Sequence, residues 1–225
     1  MMMAGQDWLQ LWPPIRLSLQ IALIASIVTA VIGMAAAWMM SKKTFKGKTL
    51  LETVFMLPMV LPPTVVGFLL LVLLGRRSWI GRLAEWLFSA PIVFSWGAGV
   101  IAAVVVAFPL VYQSMKAGFA SVDRHLEESA RSMGASEWQV FRHITIPLAQ
   151  RFIVTAYLLG FARALGEFGA TLMIAGNIPG RTQTIPTAIY VAVDSGNEVM
   201  AWAWTIVIVV ISFVMLLFTG RKQNT

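Results

Sequence analysis

The chain has 225 residues, 58% of them hydrophobic and 12% charged, with a mean hydropathy of +0.78, a balance that excludes an ordinary water-soluble domain and places it in lipid. Its 17 Lys and Arg against 10 Asp and Glu leave a net charge of +7, yet no basic soluble face with interleaved aromatics exists to bind nucleic acid, and in a membrane protein such an excess records topology. The absence of cysteine excludes disulfides, thiol chemistry and cysteine-ligated metals.

A hydrocarbon core of about 30 Å needs about 20 apolar residues in a helix. Four stretches free of Asp, Glu, Lys and Arg are long enough: 17–41, 53–75, 86–115 and 199–220. The first exceeds a signal-peptide core and is followed by Lys42, Lys43, Lys46 and Lys48 instead of a small-residue cleavage site, so it is expected to remain as a membrane helix. The second carries Pro58, Pro62 and Pro63. Proline removes a backbone donor and clashes with the preceding turn, so this helix must bend or break, and the freed carbonyls need protein or water beside them. Both a translocation pathway and a plain packing kink fit that pattern.

Further along, 152–162 continues through Arg163 and Glu167 to about Gly176 and reads as a fifth spanning helix with two charges at depth. Ionisable groups there are costly unless paired or facing a cavity, so these two, at i and i+4, read as a structural pair, a gate lining or an interfacial anchor. The segment 182–193 is too short to cross alone and reads as a re-entrant helix or an outer loop. Five crossings put the lysines of 42–48, the polar stretch 116–151 and the tail residues Arg221 and Lys222 on one side, which the positive charge makes cytoplasmic, with the N-terminus outside. Arg76, Arg77 and Arg82 then lie outside, against the same rule.

The sizeable polar segment, 117–143, precedes the fifth helix in the chain. Leu126, Ser129, Ala130 and Met133 recur at helical spacing as an apolar stripe, with Asp123, Arg124, Glu127, Glu128 and Arg131 mostly off it. Gly134 supplies a left-handed stop, Ser136 to Gln139 has the form of a capping box, and Trp138, Phe141 and Ile144 give a second short helix one apolar side. Pro147 suits the first turn of the next membrane helix. Two short helices joined at a glycine fit either docking into a partner or lying on lipid.

Glu128-Ser129-Ala130, three residues, Gly134, nine residues, then Ile144-Thr145-Ile146-Pro147 resembles the coupling motif of binding-protein-dependent ABC import permeases, Glu-Ala-Ala, three residues, Gly, nine residues, Ile-x-Leu-Pro. Ser129 and Ile146 are its small departures. Three further stretches, 57–67, 75–81 and 164–190, resemble the permease subunits of bacterial molybdate importers along nearly the whole chain, and sulfate permeases share the Gly166-Glu167-Phe168-Gly169-Ala170 portion. The resemblance implies an all-α, polytopic, type I importer permease (MetI-like) bundle, one domain over 1–225, in the bacterial cytoplasmic membrane. It implies that 117–146 is a cytoplasmic coupling segment, with Glu128, Ala130, Gly134, Trp138, Phe141, Ile144 and Pro147 meeting a separate ATPase. It also implies a homodimer, two ATPase subunits, and a periplasmic or extracellular oxyanion-binding protein.

The pathway is expected at Pro58, Pro62, Pro63, Thr64, Gly67, Arg163 and Glu167. No cofactor is expected, and no catalysis, since neither a phosphate loop nor a nucleophile with its base nor a His-Glu-x-x-His pair occurs. A passive channel would need no docking segment. His125 and His143 have no neighbouring ligand set. Trp8, Trp12, Trp38, Trp79, Trp86, Trp96, Trp202 and Trp204 read as interfacial belts.

Overall fold

The computed structural model describes residues 4–42 and 44–223, with side chains over 10–42 and 44–217. Of the positions singled out above, Lys43 and the side chains of Trp8, Arg221 and Lys222 lie outside these. The described residues form helices: α1 (Ala4–Lys42), α2 (Lys48–Val60), α3 (Pro63–Leu74), α4 (Trp79–Phe88), α5 (Trp96–Ala120), α6 (Arg124–Ser132), α7 (Glu137–Val140), α8 (Ile146–Leu165), α9 (Gly169–Ala175), α10 (Ile185–Asp194) and α11 (Glu198–Gln223). A π-helical turn, Phe141–Thr145, joins α7 to α8.

Four stretches are long and apolar enough to cross a membrane: Gln10–Lys42, Trp96–Ala120, Glu137–Leu165 and Glu198–Leu217. The pair α2 and α3, bent by 114°, makes a broken fifth. In lipid the helices gain no hydrophobic drive from pairing, so close packing of small residues holds them together. Val111 of α5 fills the gap between α1 and α8, because a Cβ added at Gly33 or Gly160 would lie 3.0 or 2.7 Å from its methyl groups. Ala37, Met40, Tyr112, Met115 and Ala156 complete this core. A second cluster joins α3, α9 and the start of α5 through Val66, Val93, Ala98, Ala102, Ala170 and Ile174. A third seats α10 and α11 on the start of α1 through Ile15, Ile185, Ala188 and Trp204.

Two expected spans and one expected short helix come out differently. The apolar run 86–115 is not one helix: Trp86 belongs to α4, and the chain turns at Ser89 (φ 53°) and Phe94 (φ 57°) before α5 starts at Trp96. Ser78 opens α4 by capping its N-terminus, its Oγ accepting from Gly81 N–H at 2.8 Å. The fifth span also breaks, with α8 ending at Leu165 and α9 restarting at Gly169. Helix α7 runs on through the π turn and α8 as one candidate span, Glu137–Leu165, where a separate short helix was expected. Pro147 cannot donate to the carbonyl four residues back, and the π turn absorbs that loss, with Ile146 N–H bonding Phe141 O instead.

Of the tryptophans read as interfacial belts, Trp12, Trp79, Trp86, Trp96 and Trp202 are exposed. Trp204 is buried with its Nε1 donating to Leu11 O at 3.1 Å, and Trp38 stacks 4.8 Å from Phe141. The segment expected at 182–193 is the short helix α10, too brief to span.

Candidate functional site

The segment 117–146, expected to couple to a partner, runs from the last turn of α5 to the start of α8. Asp123 caps α6 by accepting from His125 N–H at 2.9 Å. Gly134, at φ +91°, ends it with paired bonds from Gly134 N–H to Arg131 O (2.9 Å) and from Ala135 N–H to Ala130 O (3.0 Å), the left-handed closure that releases the helix at a defined angle. Ser136 then opens α7 with a complete capping box: Gln139 Oε1 accepts from Ser136 N–H at 2.8 Å, and Ser136 Oγ from Gln139 N–H at 3.4 Å.

Leu126 and Met133 of the apolar stripe are 49% and 83% exposed, open to a partner or to lipid, while Ala130 is buried and beside it so is Glu127. A polar hub holds Glu127 inward. Glu127 receives Lys42 Nζ from the end of α1, Thr145 Oγ1 from the π turn at 2.7 Å, and Arg131 Nη2 at 3.2 Å. Arg131 in turn reaches Glu137 Oε1 at 2.5 Å. Burial pushes the Glu127 carboxyl up, but the bonds from Lys42, Thr145 and Arg131 outweigh it and hold the group below the usual glutamate value. Sequence reasoning missed this residue, and its only signal was Arg131 four positions on.

Of the other coupling positions, Glu128 points outward, 3.9 Å from His125. Trp138 is 59% exposed, while Phe141 turns inward between Trp38 and Phe119. Ile144 is half-buried in a cleft of about 380 Å³ with Ala130, Met133 and Gly134, and Pro147 is exposed. Leu126, Met133 and Trp138 are each left exposed by this chain. His143 Nδ1 lies 3.0 Å from Gln139 O, and no group of three His, Asp or Glu side chains able to hold a metal occurs among the described residues.

The candidate pathway positions separate into two kinds. Pro62 and Pro63 bring the break between α2 and α3, Pro58 lies inside α2, and Thr64 is exposed just past the break. Gly67 is instead a packing residue: a Cβ there would sit 2.7 Å from Ala170 Cα and from Met173 Cβ, so α3 and α9 touch backbone to backbone. Arg163 Nη1 pairs with Glu167 Oε2 at 2.8 Å, and Glu167 Oε1 accepts from Ala170 N–H at 2.8 Å. The buried carboxylate therefore joins the end of α8 to the start of α9, where the aligned backbone amides favour negative charge.

The sequence matches the family described as "Binding-protein-dependent transport system inner membrane component" over residues 16–221. It is 57% identical over 216 residues to the permease protein YvgM of Bacillus subtilis (strain 168), covering 96% of this chain and 95% of that one. Identity to the molybdenum transport system permease protein ModB of Escherichia coli (strain K12) is 43% over 210 residues, 92% and 91% of the two chains. Identity to the sulfate transport system permease protein CysW of Synechococcus elongatus is 33%, over 93% of this chain and 76% of the other. Among solved structures, a bacterial alginate ABC transporter in complex with its pentasaccharide-bound periplasmic protein aligns with a TM-score of 0.76 at 18% identity, covering 93% of this chain and 76% of that one. The methionine ABC transporter MetNI, in inward-facing form, aligns at 0.69 and 14%, over 98% and 95%. Those two likenesses establish the fold, which is that of ABC importer permeases. The chain belongs to the inner membrane components of binding-protein-dependent transport systems.

Proposed function

We propose that this chain is the permease subunit of an ATP-driven importer that carries molybdate, or its close analogue tungstate, across the bacterial cytoplasmic membrane by alternating access. The observation that carries this reading is the 43% identity to a molybdenum transport permease along 92% of the chain, and the exposed apolar side chains of Leu126, Met133 and Trp138 support it. Such side chains suit docking into the groove of a separate ATPase subunit. Two copies of the chain would form the pathway between them, with two ATPases below and an oxyanion-binding protein outside. ATP closes the ATPases, the coupling helices follow, and the two permeases rock between inward-open and outward-open states. ATP hydrolysis resides in the partner.

Radiolabelled molybdate at trace concentration should accumulate in cells with the complete system and not in cells lacking this chain. Equimolar tungstate should compete and a hundredfold excess of sulfate should not. Sulfate competing as well as tungstate would instead establish the alternative, a sulfate or thiosulfate permease, which the 33% identity to CysW keeps in view.

In this reading the N-terminus is outside, the C-terminus is cytoplasmic, and the break at Pro62 and Pro63 borders the pathway, since irregular backbone at membrane depth requires protein or water beside it. An impermeant thiol reagent on intact cells should label Ser195→Cys but not Thr44→Cys, and should label Thr64→Cys at a rate that changes when ATP is bound. Reversed labelling at Ser195 and Thr44 would refute the topology, and a Thr64→Cys unreactive in every nucleotide state would move the pathway elsewhere.

A further inference from the structure

Arg76, Arg77 and Arg82 are the charges that violate the topology rule, lying on the face opposite the coupling segment. The structure gathers two of them, with Arg181, around one recess of about 800 Å³, within the roughly 300–1,000 Å³ range of small-ligand sites. Phe94 and Val93 line it just before the start of α5. The 25 residues of α5 separate it from the coupling helices by about 37 Å at 1.5 Å per residue, a full membrane thickness.

The three arginines are not equivalent. Arg76 Nη2 is tied to Glu85 at 3.1 Å, whereas Arg77 and Arg181 form no ion pair with any described residue. Arg181 is held firmly in place. The Ile178 carbonyl accepts from the N–H groups of Arg181, Thr182 and Gln183 at 2.9 to 3.1 Å, and the buried Thr182 hydroxyl accepts from Ile178 N–H at 2.9 Å. Between the guanidinium groups the walls are apolar, from Leu71, Val93, Phe94 and Ile178. A cleft with one sign of charge and low-dielectric walls concentrates field lines and draws in the opposite charge. The recess also adjoins the outer end of α3, the helix that begins at the proline break.

We propose that this recess is the receiving site for the oxyanion on the outer face, with Arg77 and Arg181 as the residues that draw the tetrahedral dianion towards α3. The proposal rests on the oxyanion cargo argued above. Arginine suits the task because its planar donors match two oxygens of such an anion at once, and the exposure of both side chains keeps the site shallow enough to release what it receives.

The test uses the complete transporter, with ATPase and binding protein, in proteoliposomes with radiolabelled molybdate. The double variant Arg77→Gln/Arg181→Gln should lose about tenfold or more of uptake at trace molybdate, the range that electrostatic steering spans, and show a flatter dependence on salt. Arg77→Lys/Arg181→Lys should recover much of the rate. Arg82→Gln removes an equal charge from α4 away from the recess and should leave uptake unchanged. The affinity of the molybdate-free binding protein for the transporter, measured separately, should stay within about twofold in the double variant. Wild-type uptake by the double variant at all concentrations would overturn the proposal. So would a loss of binding-protein affinity in step with uptake, which would make these arginines partners of protein carboxylates. An unmodified complex that accumulates no oxyanion at all would overturn the cargo reading itself, and is distinguishable from both.

Discussion

Gly134→Val is expected to give a permease that folds in the membrane yet loses about tenfold or more of its ATP-driven uptake through failed engagement with the ATPase. Gly134 sits at φ +91° with nothing within 4 Å of where a Cβ would stand. The cost of a side chain is therefore conformational and owes nothing to a clash. An L-residue in the left-handed region loses about 1–2 kcal/mol, and a β-branched one is a true outlier there. The chain can relieve that strain by opening the closure between α6 and α7, whose two bonds are worth about 1 kcal/mol each. Opening it redirects α6 relative to α7, which carries the exposed Trp138. Gly134→Asn should keep most of the uptake, because asparagine tolerates the left-handed region. Co-purification of the ATPase and uptake in proteoliposomes are the measurements, and normal uptake by the valine variant would show that the glycine is incidental.

Glu127→Ala should leave the complex assembled but lower the molybdate imported per ATP hydrolysed, by about tenfold. Glu127 connects α6 to the end of α1 through Lys42 and to the membrane helix through Thr145. In the proposed mechanism, motion imposed on α6 by an ATPase would pass to α1 and to the π turn before α8 through this carboxylate. Its removal strands Lys42 and the Thr145 hydroxyl, while Arg131 keeps Glu137. Charge-assisted bonds of this kind are worth about 1.5–3 kcal/mol each. The low end applies here, since the Lys42 and Arg131 side chains are 26% and 32% exposed and water screens them. Glu127→Gln should be intermediate, keeping an acceptor for Thr145 without the charge. A Glu127→Ala complex that imports as many anions per ATP as the unmodified one would remove Glu127 from the transmission route.

The same group sets a pH expectation. Because its native value is lowered, the stabilisation it brings is fully present above the unfolded glutamate value of about 4.3 and is lost as pH falls through the lower native value. Transport coupling through Glu127 should thus be flat from pH 7 to pH 5.5.

What the sequence determined by itself was whatever depends on composition or on neighbours within a few positions. Residence in the membrane follows from the long uncharged runs. The left-handed Gly134 and the capping box of Ser136 and Gln139 are local, so residue type and spacing alone announced them. The prolines announced a break in 53–75 for the same reason, since a missing N–H is a property of the residue. The tertiary structure alone decided which residues meet across distant segments. Periodicity marked the apolar stripe of α6 but not the burial of Glu127, which Lys42 and Thr145, 85 and 18 positions away, hold inward. Gly67 stands among the pathway positions expected from sequence, and the structure packs it against Ala170, 103 positions away in the chain, a meeting that no local pattern encodes. Arg77 and Arg181 are unremarkable singly, and become a positive recess only when the loops after α3 and α9 come together, since hydropathy encodes depth in the membrane but not which loops adjoin on its surface.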